Sequence, residues 1–479
     1  MVGRVMSKPI RMAVLVISLL VVLAVAVALL AWWLFDADRV GEQFEAALGD
    51  ALDMDVHIGQ PPTFTLLGGA SIILSDLEVS REGQVVARAE NARVQIDLFP
   101  LLAGNVRLVE LHLQRPEFSI ERINPGEFNV QLPDREREAL DPLSLQRLRV
   151  SDARLSYLDQ VSGLEWLVED CDLSLRDIHH SGGEPEQALA TLSAAGELQC
   201  TSLTQGQFAV SGLSAELHVN DGVFELKPFS ATVFEGELSG RLEADLLAGP
   251  PSFSVENSLS QFEIGAFMAM LKSEQITTGK LDLELNLGAQ GSTWQDVRNS
   301  TAGSIGLTSE ELVLEGYDLD DELDDYSATQ RFNLVDAGAV FLAGPIGLVA
   351  SRGYAFTGLL EGSGGSTRVD RMVSEWTIEN GVAQARDVAF RTPENRLSLS
   401  GGLDFTDYRF DDLQVAVLDR DGCAIVEQRI TGPFEEPEVD QPNFLVTVAG
   451  PLLDLVKRGV QAITDEDCDV VYAGAIEHP

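Results

Sequence analysis

The chain has 479 residues, of which 45% are apolar and 23% charged, and this ordinary globular usage excludes wholesale disorder. Lys and Arg number 33 against 76 Asp and Glu, so the formal net charge is −43. Nucleic-acid binding relies on Lys and Arg to neutralise phosphates, so this balance excludes nucleic acid as a principal partner. It also argues against a basic face that docks on anionic lipid head groups.

The N-terminus predicts a membrane anchor. Arg4, Lys8 and Arg11 precede an uncharged, apolar run over residues 12–35. As a helix this run reaches roughly 36 Å, enough to cross a hydrocarbon core of about 30 Å. The basic flank places residues 1–11 in the cytoplasm and the rest of the chain across the membrane. A cleaved signal peptide is the alternative, but the apolar run continues past its small-residue sites, which favours an uncleaved signal anchor.

Beyond the anchor, a short helical pattern over residues 38–53 gives way to alternation with a period of two. Leu281, Leu283, Leu285 and Leu287, for example, alternate with polar residues. Turn sequences separate such runs, as hairpins require: Asn220-Asp221-Gly222, Glu379-Asn380-Gly381 and Arg420-Asp421-Gly422. Short helices are predicted at residues 265–272, 293–300 and 443–460. The sequence therefore predicts a mainly β, antiparallel-rich and elongated sheet with one apolar face, one acidic face and a few short helices.

The apolar face of so large a sheet needs a cover. Roughly 25 strands at about 4.8 Å spacing would extend on the order of 120 Å, and sheets of this size curl or split. The sheet either packs against itself as sandwiches or curls into a trough filled by something else. Both solutions produce the same alternation.

Four cysteines fit an oxidising compartment, and none belongs to a Cys-x-x-Cys pair, which argues against zinc and thioredoxin-like sites. Cys171 and Cys200 lie 29 residues apart and flank two strand-like runs. Cys423 follows a turn, and Cys468 lies close to the chain's end. We predict the disulfides Cys171–Cys200 and Cys423–Cys468, with four reduced, buried cysteines as the alternative.

Two groups of segments resemble one family. The first group is formed by residues 59–67 (beginning Gly59-Gln60-Pro61-Pro62), 75–79, 89–98, 100–104, 108–116 and 126–129. The second is formed by residues 279–287, 291–293, 303–305, 316–319, 430–434 and 437–439. In this order, behind an N-terminal signal anchor, the segments resemble the AsmA family. The middle of the chain shows only the generic β pattern.

The resemblance implies a division of the exported chain into an AsmA-like N-terminal region (36–140), a central β repeat region (141–275) and an AsmA-like C-terminal region with a terminal helix (276–479). It implies a single-pass protein of the inner membrane of a Gram-negative bacterium, with a cytoplasmic N-terminus, a periplasmic bulk and a task in outer-membrane biogenesis. Larger family members look like bridge-like lipid-transfer proteins with an apolar β-groove. For this chain the resemblance therefore implies a curled, trough-like sheet and not a self-packed sandwich. The implied partners are membrane phospholipid, the inner membrane and other envelope proteins.

An apolar groove would hold or conduct phospholipid acyl chains, because each methylene exposed to water costs about 0.8 kcal/mol. The groove candidates follow the alternation of the C-terminal region: Leu281, Leu283, Leu285, Leu287, Ile305 and Leu307. The rival hypothesis is a non-catalytic assembly factor or regulator that adds strands of outer-membrane proteins to open sheet edges.

Catalytic motifs are missing from the sequence, which contains no G-x-S-x-G, H-E-x-x-H or Walker-type loop. Gly362–Ser366 is interpreted as a flexible loop, and His179-His180 as surface loop histidines. The carboxylates between Asp318 and Asp325 lack the order of a calcium loop and predict a solvated acidic turn or helix start. We therefore expect no enzyme, cofactor, catalytic residue or metal site.

Overall fold

A computed structural model describes residues 42, 45–46, 49, 54–65, 70–97, 108–124, 127–130, 143–181, 189–270, 277–315, 318–321, 323, 364–441, 443–444 and 469–479. The described chain falls into two compact units. The first lies within Met1–Arg137 and Ser144–Glu165, and the second within Glu138–Leu143 and Trp166–Pro479. The predicted anchor at 12–35 lies outside the described residues, and so do most of the predicted helix at 38–53 and residues 445–460 of the predicted helix at 443–460. No helix among the described residues is long and apolar enough to cross a membrane.

The first unit is a sheet built on a three-stranded meander. Its strands are β1 (Asp55–Thr65), β2 (Ala70–Arg81), β3 (Gln84–Ile96), β4 (Leu108–Gln114), β5 (Glu117–Asn124), β6 (Glu127–Phe128) and most of β7 (Leu143–Asp159). β1, β2 and β3 pair antiparallel in sequence order. β4 and β5 both lie beside β3, and β7 runs parallel to both. The interruption between them falls at Arg115, which has a φ of 46°, and at Pro116, which has no N–H to donate to a ladder.

The second unit begins with a long antiparallel meander. Its strands are β8 (Leu164–His180), β9 (Ser193–Gln205), β10 (Phe208–Asn220), β11 (Val223–Val233), β12 (Gly236–Asp245), β13 (Ser252–Glu263) and β14 (Thr277–Gln290). Each strand pairs with the next. The β10–β11 loop is Asp221-Gly222, with φ values of 46° and 82°, which is the two-residue hairpin that the sequence predicts. A 3₁₀ turn at Leu189–Thr191 precedes β9.

The meander continues through the C-terminal part of this unit. Its strands are β15 (Ala302–Ser309), β16 (Leu312–Glu315), β17 (Ser366–Val369), β18 (Arg371–Glu379), β19 (Val382–Arg391), β20 (Arg396–Asp404), β21 (Arg409–Leu418), β22 (Ala424–Pro433), β23 (Glu438–Val439) and β24 (Asn443–Phe444). β14 pairs with both β15 and β16, and β15 pairs with β18. β18 to β22 pair in sequence order, and β22 also pairs with β23 and β24. Asn443 and Phe444 are therefore strand, where the sequence predicts the start of a helix.

Two short helices lie where the sequence predicts them. α1 (Ile264–Met270) follows β13, and α2 (Trp294–Ser300) lies between β14 and β15. Thr293 caps α2 with a capping box: its hydroxyl accepts from the Asp296 N–H, and the Asp296 carboxylate accepts from the Thr293 N–H. The prediction of a mainly β, antiparallel-rich large sheet with a few short helices is confirmed. The region boundaries at 140 and 275 stay predictions.

The largest hydrophobic core lies in the C-terminal part of the second unit. Its largest buried side chains include Trp376, Phe390, Leu397 and Leu403, all exposed by 1% or less. Met268 of α1 and Leu319, in a helical turn at 319–321, belong to the same core. The core therefore has helical as well as strand members.

Candidate functional site

The meander of the second unit has an apolar side made by alternation. Along β14, Leu283, Leu285 and Leu287 occupy one side while Glu284 and Asn286 occupy the exposed other side. Successive side chains of a strand point to opposite faces, so a single register carries such a pattern across many strands. What matters for function is how many strands share it.

The pairing register aligns this pattern from β8 to β14. One row of partners runs Leu175, Gly196, Leu217, Leu226, Leu242, Val255 and Leu287. The half-buried residues of this side, which we name the apolar face, are Leu173, Leu175, Leu198, Leu213, Leu217, Phe224, Leu226, Leu238, Leu242, Phe253, Val255, Leu283, Leu285 and Leu287. The apolar face is thus a continuous surface over seven neighbouring strands.

The six predicted groove residues divide into two kinds. β14 and β15 place Leu283 opposite Leu307 and Leu285 opposite Ile305, so they share one side of the sheet. Leu281 and Leu307 are exposed by only 1% and 0% and belong to the core. Leu283, Leu287 and Ile305 are partly buried against that core, and Leu285 is half-buried. The protein's own side chains therefore cover Leu281 and Leu307, whereas Leu285 keeps a solvent-facing surface.

Residues with positive φ interrupt the strands of the meander. Asp170 in β8, Gly212 in β10 and Gln261 in β13 have φ values of 51°, 60° and 55°. The β13–β14 register shifts next to Gln261, between Leu259 and Phe262. Bulges of this kind bend a strand and increase its local twist. Where the register shifts, such bulges are one source of the curvature that large sheets need.

Aromatic rings line one end of the apolar face. Trp166 meets Phe208 edge-on with ring centroids 6.2 Å apart, and Phe208 lies 5.5 Å from Phe234. Phe234 in turn contacts Phe262 at 6.4 Å and Phe267 of α1 at 5.5 Å. Our sequence analysis missed this row. Its signal is the recurrence of Phe208, Phe234 and Phe262 at the same end of alternate hairpins.

The predicted Cys171–Cys200 disulfide is present. The two cysteines are direct partners in the β8–β9 ladder, and their pair is followed two residues on by the pair Leu173 and Leu198. The disulfide therefore lies on the same side of the sheet as the apolar face. Cys423 is also disulfide-bonded, and its predicted partner Cys468 lies outside the described residues.

The C-terminal segment is docked on the second unit by a polar cluster. The Tyr472 hydroxyl donates to Asp387 at 2.6 Å, and the Ala475 N–H donates to the same carboxylate at 2.8 Å. Arg396 donates to the Ile476 carbonyl at 3.1 Å. Burial, followed by the hydrogen bond to Asp387, raises the pKa of Tyr472. Ile476 is 1% exposed and packs against Val373 and Ala389. Sequence reasoning missed this cluster, because the tail residues lie more than 70 positions from the strand residues that they contact.

The predicted acidic turn is only partly solvated. Asp320 accepts hydrogen bonds from Thr392 and Asn395, each at 2.6 Å, and thereby joins the turn at 319–321 to the β19–β20 hairpin. Burial raises the pKa of the Asp320 carboxyl. Asp318 accepts from the Asp321 N–H, as a helix N-cap does. Among the described residues, no three or more His, Cys, Asp and Glu side chains are grouped to hold a metal ion.

Two further predicted features differ from expectation or lie partly outside the described residues. His179 and His180 are the last residues of β8, not loop residues, with His179 exposed and His180 buried. They point to opposite sides of the strand, as adjacent residues must. In the predicted flexible loop, Gly364 and Gly365 have φ values of 89° and 93°, Ser366 begins β17, and residues 362–363 lie outside the described residues.

Comparison with known proteins gives one match. The model of the AsmA family matches residues 186–388, a stretch that contains β9 to β18 and most of β19. No curated protein and no solved structure matches the chain. The match covers the middle of the chain, where the sequence analysis found only a generic β pattern, as well as the start of the C-terminal region. Residues 186–388, which carry most of the apolar face, are therefore the part of this chain that is similar to the AsmA family.

Proposed function

We propose that this chain is an inner-membrane-anchored, periplasmic protein of outer-membrane biogenesis that holds or conducts phospholipid acyl chains on its apolar face. The proposal is carried by one observation: seven neighbouring strands within and beside the family match present a continuous, half-buried apolar face. The family match supports a role related to outer-membrane biogenesis and lipid transport, in the cell envelope. No catalytic step is needed, because the task is to shelter apolar surface from water.

The size of the apolar face suits an acyl chain. Seven strands at about 4.8 Å spacing span roughly 29 Å, and one leaflet of a bilayer contributes about 15 Å of hydrocarbon. A two-chain phospholipid of some 30 methylenes faces roughly 25 kcal/mol on leaving a bilayer, at about 0.8 kcal/mol per methylene. Contact with the face removes part of this cost. Beyond β14 the core fills the same side of the sheet, so we assign the acyl chains to β8–β14.

The sheet edges bear on the rival hypothesis, an assembly factor that adds client strands. In the described part of the chain, β22 is already paired with β23 and β24 beyond β21. β1 carries Pro61 and Pro62, and a proline cannot donate to an added strand. These edges favour the lipid hypothesis over strand addition, since neither offers a long, free row of backbone donors.

Native mass spectrometry of the full chain extracted in detergent tests the proposal. We expect co-purified phospholipid in the wild type. Leu285→Asp should abolish lipid retention with little loss of fold, because a charge at this half-buried position reaches water. Asn286→Asp, which puts the same carboxylate on the exposed opposite face, should retain lipid. Leu307→Asp should instead lower the free energy of unfolding of the region by several kcal/mol, because the Leu307 side chain is fully buried. Global unfolding by Leu285→Asp without a lipid-specific effect, or a wild type free of lipid, would refute the proposal.

A further inference from the structure

One polar side chain interrupts the apolar face. Along β13 the residues Phe253, Val255, Asn257 and Leu259 alternate onto the same side of the sheet, so Asn257 stands where the pattern calls for an apolar residue. The register places Asn257 between Gly240 of β12 and Leu285 of β14. Leu259, two residues on, is buried in the core. Asn257 therefore lies where the half-buried face meets the closed core.

The amide oxygen of Asn257 is buried and unsatisfied. Its Oδ1 has no hydrogen-bond partner among the described residues. A Cβ at position 240 would collide with this oxygen, so Gly240 leaves the space that the amide occupies. Buried polar atoms in proteins are nearly always paired, and an unpaired buried acceptor destabilises the folded state. An asparagine in this position therefore does not stabilise the fold, which points to another reason for its presence.

We propose that the Asn257 amide turns about its Cβ–Cγ bond, so that its oxygen faces the half-exposed side of the residue and accepts a hydrogen bond from the head group of the bound phospholipid; Asn257 thereby selects lipids whose head group carries an N–H donor. This inference rests on the proposed function. An amide oxygen needs a donor, whereas the ester and phosphate oxygens of a phospholipid only accept. The net charge of −43 favours an ammonium-bearing head group over an anionic one. A primary ammonium, as in phosphatidylethanolamine, meets both requirements. The quaternary ammonium of phosphatidylcholine has the charge but no N–H.

The placement also orients the lipid. β13 lies beside the closed core, so the open part of the apolar face extends from Asn257 towards β8. Five strand spacings of about 4.8 Å give roughly 24 Å in that direction, more than the about 15 Å of one bilayer leaflet. The acyl chains run across β12 to β8, and the head group stays at the solvent side of β13. Leu198 and Leu217 then contact the chains.

The test is a competition between two lipids with identical acyl chains. The detergent-solubilised full chain is equilibrated with equal amounts of dioleoyl phosphatidylethanolamine and dioleoyl phosphatidylcholine, and the bound ratio is read by native mass spectrometry. The wild type should favour phosphatidylethanolamine roughly 2- to 10-fold, the size expected for one net hydrogen bond. Asn257→Leu should bring the ratio close to one, and Asn257→Asp, which keeps an acceptor, should preserve the preference. Asn286→Leu, the same change on the exposed opposite face, should behave as the wild type.

The outcomes separate this inference from the proposed function. Lipid bound without discrimination by the wild type would overturn the inference alone. An Asn257→Leu variant that keeps the wild-type preference for phosphatidylethanolamine would also overturn the inference. The same holds if this variant retains more lipid at an unchanged ratio of the two lipids, because the apolar area would then account for binding by itself. No lipid bound by any variant would overturn the proposed function together with the inference. Circular dichroism and thermal unfolding of Asn257→Leu should show an unchanged or higher stability, since an unpaired polar atom is removed.

Discussion

A few side chains bind the C-terminal segment to the strands of the second unit. Asp387, Arg396 and Tyr472 come from two strands and the tail, and their hydrogen bonds converge on the backbone of Ala475 and Ile476. The Tyr472 hydroxyl also accepts from the Ile476 N–H at 3.1 Å. One phenol therefore satisfies a strand carboxylate and a tail amide together. Networks of this kind are costly to interrupt, because each lost partner leaves a half-buried polar group unpaired.

Tyr472→Phe should loosen the tail. The change leaves Asp387 and the Ile476 N–H without the phenol, which costs about 1–3 kcal/mol. Hydrogen exchange of the Val471, Tyr472 and Ile476 amides should accelerate accordingly, while amides of β14 keep their rates as an internal control. The folded state raises the pKa of the Tyr472 phenol above its ordinary value of 10.0. The stabilisation that the protonated phenol gives to the folded state is therefore complete below pH 10 and is lost as the pH rises through the folded pKa. Unchanged exchange in the variant would mean that the tail is held by packing alone.

Asp320→Asn should change how stability depends on pH. Burial raises the carboxyl pKa above its ordinary 3.8, so the folded state binds the proton more readily than the unfolded state does. This contribution to stability is complete below pH 3.8 and is lost as the pH rises through the folded pKa. Asn keeps an oxygen for Thr392 and Asn395 without the charge. The variant should therefore be at least as stable as the wild type at pH 7, with the difference narrowing towards pH 3.5. Denaturant unfolding between pH 3.5 and 7 measures the difference in stability between the variant and the wild type. A variant that is less stable than the wild type only at pH 7 would contradict the prediction.

At the scale of elements, the hairpins follow their turn sequences. Asp221-Gly222 and Asn380-Gly381 both have positive φ at the two central residues, which matches the right-handed twist of the strands they join. The Arg420-Asp421-Gly422 turn instead belongs to a longer connection closed by an Asp419 N–H bond to the Cys423 carbonyl. The conformation of a turn is decided by the two to four residues that form it, so the turns could be predicted from short stretches of sequence.

The Cys171–Cys200 disulfide joins two elements whose pairing is otherwise made of backbone bonds and leucine contacts. In the chain-entropy model, a crosslink that closes a loop over a separation of 29 residues stabilises by about 3–4 kcal/mol. Replacing both cysteines by Ala should lower the free energy of unfolding of this meander by that amount, read by hydrogen exchange of the β8 and β9 amides. Amides of β20 and β21 are the control. A loss below about 1 kcal/mol would show that the reduced chain already keeps these strands paired.

Non-reducing peptide mapping of periplasmically expressed protein checks both pairings. We expect one linked peptide pair containing Cys171 and Cys200, and a second containing Cys423 and Cys468. The isolated bridge between Cys423 and Val470 places the described end of the chain beside Cys423, as the second pairing requires. A crossed linkage or a free thiol at Cys423 would contradict it.

At the scale of the whole molecule, the membrane topology that the sequence predicts depends on the basic residues at the N-terminus. Arg4, Lys8 and Arg11 should keep their flank in the cytoplasm, since cytoplasmic flanks of membrane helices carry the excess of basic residues. A reporter fused after Pro479 should be active only in the periplasm, and the intact chain should resist carbonate extraction. Exchanging the three basic residues for Gln should weaken this orientation. A cytoplasmically active reporter on the wild-type chain would overturn the topology.

The sequence by itself determined the strand periodicity, the two-residue hairpins, the capped helix α2 and the neighbouring positions of Cys171 and Cys200. The periodicity, the hairpins and the helix depend on contacts between residues close in the chain, whose geometry is dictated by backbone sterics and side-chain period. The cysteine pairing follows from two consecutive strand-like runs that join residues 29 positions apart. Only the tertiary structure decided that Leu307 is sealed in the core while Leu285, on the same face, remains half-buried. Their patterns are identical, and burial depends on what packs across the face: α1, the turn at 319–321 and the C-terminal strands. The same holds for Asn257, whose unpaired oxygen becomes apparent only where the register brings it between Gly240 and Leu285.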